Sequence, residues 1–196
     1  SDVYKRQVER LSSGKRINNA GDDAAGASIV NRMTAQISGM KMAMRNAADA
    51  ISMAQVAEGA MDEVSRLLVN IRQRAVAAAN TGVNNELVVA ASQSEIQNAL
   101  SSIDRIAQNT QFGSKQLLNG TNPELEFQIG ADNTQSMTVS ISNHNTVSLG
   151  LSAENTLTAA GSALTSAAQM MGYISTIDGV ISTISTNRGT LAAAMN

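Results

Sequence analysis

The sequence predicts a mainly α-helical protein that carries one small β-hairpin. Between Val30 and Ala78, apolar residues recur at spacings that alternate between three and four, which is the period of one helix face. Between Leu125 and Ile141, two runs of apolar residues instead occupy every second position, as in strands with one buried face. Aromatic residues make up only 2% of the 196-residue chain, so few large side chains are available to fill a wide core. We therefore expect a thin bundle of three long helices.

The first seven residues have no place in this pattern, and we set residues 1–7 apart as a scar or unrelated segment. Val8–Ser13 has the pattern of the last turns of a helix, which Gly14 ends in a left-handed conformation. After a short turn, Asp22 or Asp23 can cap the next helix. A carboxylate at this position accepts hydrogen bonds from the unpaired amides of the first turn.

A single helix of roughly 85 Å is predicted over residues 23–79, from the rise per residue of an α-helix. One step departs from the alternation, the three-three step at Ile51, Ala54 and Ala57, and we expect a local stammer there. The predicted buried positions are Val30, Met33, Ile37, Met40, Met44, Ala47, Ile51, Ala54, Ala57, Met61, Val64, Leu68, Ile71, Ala75 and Ala78.

A second helix is predicted to return antiparallel to the first. Gly82 ends the long helix, and Asn84 or Asn85 begins the next one after a short connection. Residues 109–122 are expected to be irregular. The inner face of the second helix consists of Val89, Ile96, Leu100, Ile103 and Ala107.

The hairpin and a last helix complete the prediction. The strands place Leu125, Phe127 and Ile129 opposite Met137, Val139 and Ile141, with a turn at residues 130–133. The chain is thus divided into residues 1–7, a main part at 8–142, a linker at 143–157 and a helix at 158–196. The first and last helices each lack one end, which predicts a fragment of a longer parent. The last helix carries Ala163, Ala167, Met170, Ile174, Ile177, Ile181, Ile184, Leu191 and Met195 on one face.

Composition argues against catalysis, cofactors and metal sites. The chain has no cysteine, a single histidine and a formal net charge of −2, which also argues against nucleic acid and membrane partners. The stretch from Gly21 to Ser28 is a near miss to a phosphate loop, but Ala27 replaces the lysine and two carboxylates would repel phosphate. His144 lies in a polar run and is predicted to be an exposed loop imidazole. The ten methionines are interpreted as core residues rather than soft-metal ligands.

Several motifs together resemble those of bacterial flagellin. They cover nearly the whole chain from Val8 onward, and their combined specificity is high. The motifs are Val8-Glu9-Arg10-Leu11-Ser12-Ser13-Gly14, Arg16-Ile17-Asn18, Asp22-Asp23-Ala24-Ala25-Gly26, Asn31-Arg32, Arg45-Asn46-Ala47, Ala57-Glu58-Gly59-Ala60, Ile103-Asp104-Arg105, Asn109-Thr110-Gln111-Phe112-Gly113, Phe127-Gln128-Ile129-Gly130-Ala131, Ser148-Leu149-Gly150-Leu151 and Thr186-Asn187-Arg188-Gly189.

This resemblance implies a self-assembling structural subunit of the flagellar filament, used for swimming motility. It implies an extracellular location, reached without a cleaved signal peptide. The implied partners are other flagellin subunits and, for the full-length parent, the export and capping machinery. The implied fold is the outer-core domain. The terminal coiled-coil segments and the variable outer domain would be missing, so we expect that the chain alone does not polymerise.

The resemblance also implies two sets of site residues. A joint that packs subunits together comprises Arg16, Asn18, Asp22, Asp23 and Arg32, with a local cap of Arg16 and Asp23 as the alternative. Positions of a patch that the vertebrate innate receptor TLR5 recognises in several flagellins are Asn70, Arg72, Arg74 and Glu95.

Departures from the receptor pattern predict weak recognition. Glu95 agrees with the pattern, whereas Asn70 replaces an arginine and Arg74 replaces a leucine. Loss of an apolar anchor and of a charge-assisted donor weakens an interface when both lie at its centre.

Two alternatives remain open at the level of sequence. A hook–filament junction protein shares the terminal motifs but agrees less closely from Ile103 to Phe112. A signalling coiled coil of the chemoreceptor type is also helical. The β-hairpin argues against the second, because a receptor rod keeps one heptad register through its tip.

Overall fold

A computed structural model describes residues 2–14, 23–80, 82, 84, 86–151 and 167–195. In chain order its elements are α1 (Asp2–Ser13), α2 (Ala24–Ala79), α3 (Glu86–Asn109), β1 (Gln111–Phe112), β2 (Lys115–Gln116), β3 (Glu124–Gln128), β4 (Ser136–Ser140) and α4 (Ala167–Met195). The mainly helical fold class with a small hairpin is confirmed. Helix α1 is continuous from Asp2, so residues 2–7, set apart above, lie within it, and Gly14 follows it with a φ of 66°.

The chain forms two compact units. The first comprises Ser1–Ala48 and Gln128–Met137, and the second comprises Asp49–Phe127 and Thr138–Asn196. The second unit holds most of the buried apolar side chains, which come from the carboxyl-terminal part of α2, from α3, from α4 and from the strands.

Within the second unit, the buried stripe of α2 follows an uninterrupted three-four alternation. Its members are Ala50, Ala54, Ala57, Met61, Val64, Leu68, Ile71, Ala75 and Ala78, and Met53 is buried beside them. The predicted stammer at Ile51 was therefore wrong: Ala50 occupies the buried position and Ile51 is 40% exposed. The error arose because Ile51 is the larger apolar side chain, although the register of the stripe places alanine inside.

The same unit confirms part of the inner faces predicted for the other helices. Ile96, Leu100, Ile103 and Ala107 of α3 are buried, although Val89 is only partly buried. In α4, Ile177, Ile184 and Leu191 are buried together with Tyr173 and Val180, whereas Ile174 and Ile181 are partly exposed. The predicted positions Ala163, Ala167 and Met170 have side chains outside the described residues.

Strands β3 and β4 form the predicted two-stranded sheet. Leu125, Val139 and Ile141 are buried, and Ile129 is exposed rather than buried. Residues 109–122 are not wholly irregular, because β1 and β2 pair antiparallel, with Gln111 opposite Gln116. Gly113 connects them with a φ of 61°, a conformation that glycine adopts without strain.

In the first unit, the hairpin tip packs against α2. The amide nitrogen Nδ2 of Asn46 donates to the carbonyl oxygen of Gln128 at 2.9 Å. A Cβ atom at Gly39 would lie 3.2 Å from the Cβ of Ala131, so glycine allows this close approach.

The predicted buried stripe of this part of α2 is exposed. Val30, Met33, Ile37, Met40 and Met44 are each close to half exposed or more, and Ala43 is buried instead. The apolar period was identified correctly, but the residues that the structure describes cover little of this face.

Candidate functional site

Three of the four receptor-patch positions lie together on α2 and α3. The guanidinium Nε of Arg74 lies 2.9 Å from Oε2 of Glu95, and both side chains are about half exposed. Asn70, one turn before Arg74, lines the same shallow groove of about 190 Å³ together with Ile96 and Ala99. The groove is therefore lined by one cationic and one anionic side chain, which form an ion pair with each other.

Arg72 does not join this groove, because its side chain reaches α4. Its Nε lies 2.5 Å from Oδ1 of Asp178, and its Nη2 lies 3.2 Å from Oδ2, which makes the pair bidentate. The hydrogen bond from Arg72 lowers the pKa of Asp178, and the same bond raises the pKa of Arg72. The pair connects α4 to α2 at the surface of the second unit.

The joint is only partly within the described residues. Arg16, Asn18 and Asp22 lie outside them. Asp23 caps α2, since its Oδ1 accepts a hydrogen bond from the backbone nitrogen of Gly26 at 2.9 Å. Arg32 lies on α2, and its side chain is exposed. A packing role for these residues stays a prediction.

His144 is fully buried, so the prediction of an exposed loop imidazole was wrong. Its Nδ1 lies 2.6 Å from the carbonyl oxygen of Ser142, which can only accept, so Nδ1 carries the proton. Nε2 then faces Nδ2 of Asn187 on α4, at 3.4 Å. Burial lowers the pKa of His144, against a smaller opposing effect of the bond to Ser142. The neutral imidazole thus connects the loop to α4.

A second polar contact connects the same loop to α3. Oδ1 of Asp104 accepts from the backbone nitrogen of Thr146 at 2.8 Å, and Oδ2 accepts from the Thr146 hydroxyl at 2.9 Å. The backbone nitrogen of His144 also donates to the carbonyl oxygen of Leu118 at 2.8 Å. We call residues 142–151, with these contacts, the anchored loop. Sequence reasoning missed it, because its partners lie about forty residues away along the chain.

Arg188, which follows Asn187, connects α4 to α2. Nη1 of Arg188 lies 2.9 Å from Oδ1 of Asp62, and Nη2 lies 3.7 Å from Oε1 of Glu58. Asp62 also pairs with Arg66 at 2.6 Å. The motif residues Asn187, Arg188, Asp104 and Glu58 therefore contribute to contacts between elements of one unit.

The part of the chain that the structure describes contains no group of three or more histidine, aspartate or glutamate side chains that could hold a metal ion. Over the same residues, no helix has the length and apolar character needed to cross a membrane.

A comparison with protein-family models decides the family. Residues 2–123 match the model of the bacterial flagellin N-terminal helical region. The chain belongs to the bacterial flagellin family. The match includes residues 2–7, which continue α1.

Flagellins are also its relatives in sequence and structure. The chain is 46% identical over 143 residues to flagellin C of Vibrio anguillarum, covering 73% of the chain and 38% of that protein. Flagellin 1 of Proteus mirabilis is 36% identical over 186 residues, covering 90% and 50%. The crystal structure of Bacillus cereus flagellin superposes with a TM-score of 0.64 at 29% identity, covering 78% of the chain and 83% of that structure.

The chain spans half or less of the length of these two relatives. The comparisons do not favour the hook–filament junction protein or the chemoreceptor coiled coil.

Proposed function

We propose that this flagellin-family chain is a structural subunit of an extracellular flagellar filament, and that it acts by binding other flagellin subunits rather than by catalysis. The family match over residues 2–123 carries the proposal. For a full-length parent, the export and capping machinery are further partners that membership implies.

The exposed face of α2 supports an assembly role. Val30, Met33, Ile37, Met40 and Met44 recur at alternating spacings of three and four, and all of them are substantially exposed. A continuous apolar stripe of this kind is typical of a surface that another protein covers. We define these five exposed residues as the α2 stripe, which is distinct from the buried face of α2 in the second unit.

Seeded co-assembly tests the proposal. The purified chain is mixed with monomeric flagellin C of Vibrio anguillarum, and polymerisation is started with short filament seeds. We expect the chain to sediment with the filaments or to slow their growth, because it presents part of the subunit surface.

Ile37→Glu should reduce this effect, because a charge in the α2 stripe must lose water when a neighbour covers it. Glu126→Gln on β3 is the matched control. Unchanged growth together with a chain that remains entirely in the supernatant contradicts the proposal.

A weak interaction with the innate receptor TLR5 is a second candidate, supported by the proximity of Asn70, Arg74 and Glu95. The Arg74–Glu95 ion pair occupies the groove that a receptor side chain would enter. We expect little signalling in reporter cells, and a gain of about tenfold or more when Asn70→Arg and Arg74→Leu are combined, in line with the energy of one central contact. Strong signalling by the unmodified chain contradicts this expectation.

A further inference from the structure

The bend between β2 and β3 contains Asn119-Gly120, the one asparagine–glycine pair in the sequence. Gly120 has a φ of 79°, and a Cβ atom there would lie 2.9 Å from Nδ2 and 3.0 Å from Cβ of Asn143 in the anchored loop. The bend therefore requires glycine, both for its left-handed backbone and for this close approach. The same requirement leaves the backbone nitrogen that follows Asn119 without a side chain beside it.

Hydrogen bonds hold the Asn119 side chain at both of its polar atoms. Its Oδ1 accepts from the backbone nitrogen of Thr121 at 3.0 Å, and its Nδ2 donates to Oε1 of Gln116. A backbone N–H at a carbonyl oxygen polarises the carbonyl and stabilises negative charge that develops on that oxygen. The N–H of Thr121 thus favours attack on Cγ of Asn119.

The backbone nitrogen of Gly120 is available as the attacking atom. Among the residues that the structure describes, none accepts a hydrogen bond from it, and glycine has no Cβ to hinder its approach to Cγ of Asn119. Asn119 and Gly120 are partly buried and Thr121 is exposed, so solvent reaches the bend. The bend thus combines a polarised carbonyl, an adjacent nucleophile and water.

Asn143 in the anchored loop has the same carbonyl contact without an available nucleophile. Its Oδ1 accepts from the backbone nitrogen of Asn145 at 3.0 Å, two residues on, as in Asn119. The nitrogen that follows it, that of His144, donates to the carbonyl oxygen of Leu118 at 2.8 Å. Attack by this nitrogen would break a hydrogen bond in a buried environment, so Asn143 should react slowly.

Asn145 provides a second comparison within the same loop. Its Oδ1 accepts from the backbone nitrogen of Ser148 at 2.7 Å, so its carbonyl is polarised as well. The nitrogen that follows it, that of Thr146, donates to Oδ1 of Asp104 at 2.8 Å. Of these three asparagines, only Asn119 therefore has both a polarised carbonyl and a following nitrogen that the described residues leave unbound.

We propose that Asn119 is a deamidation site, at which the backbone nitrogen of Gly120 attacks Cγ of Asn119 and forms a succinimide. Hydroxide takes the proton of this nitrogen, the N–Cγ bond forms, and the Cγ–Nδ2 bond breaks as ammonia leaves with a proton from water. Water then adds to either carbonyl carbon of the ring and breaks one C–N bond, which gives aspartate or isoaspartate. The reaction consumes water, releases ammonia and involves no oxidant or reductant.

The new carboxylate changes the contact with Gln116. Nε2 of Gln116 donates to the carbonyl oxygen of Gln108 at 2.9 Å, so its Oε1 is the atom that faces Asn119. A carboxylate only accepts, so two acceptors would face each other unless the Gln116 amide turns and loses its bond to Gln108. Isoaspartate also lengthens the main chain beside Asn143. Either product should weaken the packing of the bend against the anchored loop.

The inference does not depend on subunit assembly. The only reagent is water, and Asn119 belongs to the second unit, outside the α2 stripe. Deamidation adds one negative charge to the chain, which can be measured on the isolated protein.

Incubation of the folded chain in water enriched in heavy oxygen tests the site. Deamidation during the incubation incorporates the heavy isotope, which separates it from deamidation during digestion, and tandem mass spectrometry then gives the rate at each asparagine. Circular dichroism verifies that the helix content is retained. We expect Asn119 to react at least about tenfold faster than Asn143 and Asn145. Equal rates at the three positions, or reaction of Asn119 only after unfolding in urea, overturn the proposal.

An isoaspartyl methyltransferase with labelled S-adenosylmethionine tests the succinimide route, because isoaspartate arises only by opening of the ring. The incubated parent should be labelled. Asn119→Gln should be labelled no more than the fresh chain, since its longer side chain would have to close a six-membered ring. Asn98→Gln, at an exposed position on α3, is the matched control and should be labelled as strongly as the parent. Equal labelling of Asn119→Gln and the parent overturns the assignment to Asn119.

Asn119→Asp supplies one of the two products directly. It should unfold at a lower urea concentration than the parent, because the carboxylate cannot donate to Gln116. Asn98→Asp adds the same charge on α3 and should unfold close to the parent. An Asn119→Asp variant that unfolds with the parent contradicts the predicted effect on the bend.

Discussion

Burial of His144 makes the stability of the second unit depend on pH. The native pKa lies below the usual value of 6.5, so the unfolded chain binds the proton more readily. The free energy of unfolding should therefore fall as pH decreases from about 6.5 towards the native pKa, and remain level above that range. Protonation also places a second ring donor opposite the amide nitrogen of Asn187, which itself donates.

His144→Gln should remove this dependence on pH. Glutamine keeps an amide donor for the carbonyl of Ser142 but does not titrate, and we expect a loss of about 1–2 kcal/mol at pH 7.5 from imperfect hydrogen bonding. Urea unfolding at several pH values between 5 and 8 provides the measurement. A variant that keeps the full slope of the parent shows that another group titrates.

The Arg72–Asp178 ion pair affects stability in a lower pH range than His144 does. The pKa of Asp178 is lowered below its ordinary value of 3.8, so the pair contributes stability above about pH 4. That contribution is lost as pH falls through the native pKa, because the carboxylate becomes protonated. Both groups are about half exposed, so salt screens the interaction and the effect is small.

Asp178→Asn should flatten the loss of thermal stability below pH 4, with Glu126→Gln as the matched control. Thermal unfolding followed by circular dichroism at low and high salt provides the measurement. The parent and Asp178→Asn should converge at high salt, and a difference that persists there contradicts an electrostatic origin.

At the level of single elements, the turn of the β3–β4 hairpin depends on Gly130. A Cβ atom there would collide with the side chain of Gln135, including its Cβ, which the backbone holds in place. The turn is closed by hydrogen bonds from the nitrogen of Ile129 to the oxygen of Gln135 and from the nitrogen of Gln135 to the oxygen of Asp132.

Gly130→Ala should therefore destabilise the chain by about 1–3 kcal/mol, the usual range for inserting a methyl group into a packed site. Gly179→Ala on α4 is the matched control, since nothing lies within 4 Å of its Cβ position. Because alanine favours the helix, the control should gain about 0.5–1 kcal/mol. Urea unfolding compares them, and equal effects at the two positions contradict the collision at the turn.

The elements illustrate what sequence patterns can predict. Helix α2, its return helix and the hairpin follow from local periodicity, because a period of three to four or of two is a property of neighbouring residues. Whether Ala50 or Ile51 is buried depends on the register of the whole buried face of α2, so these two residues alone could not predict it. The pair of Arg72 and Asp178, separated by 106 residues, has no local signal.

The candidate sites likewise divide into those that local sequence predicts and those that depend on contacts between distant residues. A cap at Asp22 or Asp23 was predicted, because capping is local to one helix start, and the structure shows it at Asp23. The anchored loop was missed because its polar residues resemble any exposed turn until α3 and α4 are packed beside it. Resemblance rather than periodicity identified Asn70, Arg74 and Glu95, and the structure places these residues along one groove.

At the scale of the molecule, the chain has the packing expected of a structural subunit of the flagellin family. Buried apolar side chains of α2, α3 and α4 form the core of the second unit, and ion pairs join α2 to α4 at its surface. The α2 stripe leaves an apolar face that a neighbour can cover. Many modest contacts repeated by a helical rule give a stiff polymer.

Immunogold electron microscopy tests this account most directly. An epitope-tagged chain is co-polymerised with flagellin C of Vibrio anguillarum, and the resulting filaments are washed and labelled. We predict gold particles on the filaments, and fewer particles for Ile37→Glu. Filaments that grow normally but carry no label would contradict a role as a filament subunit.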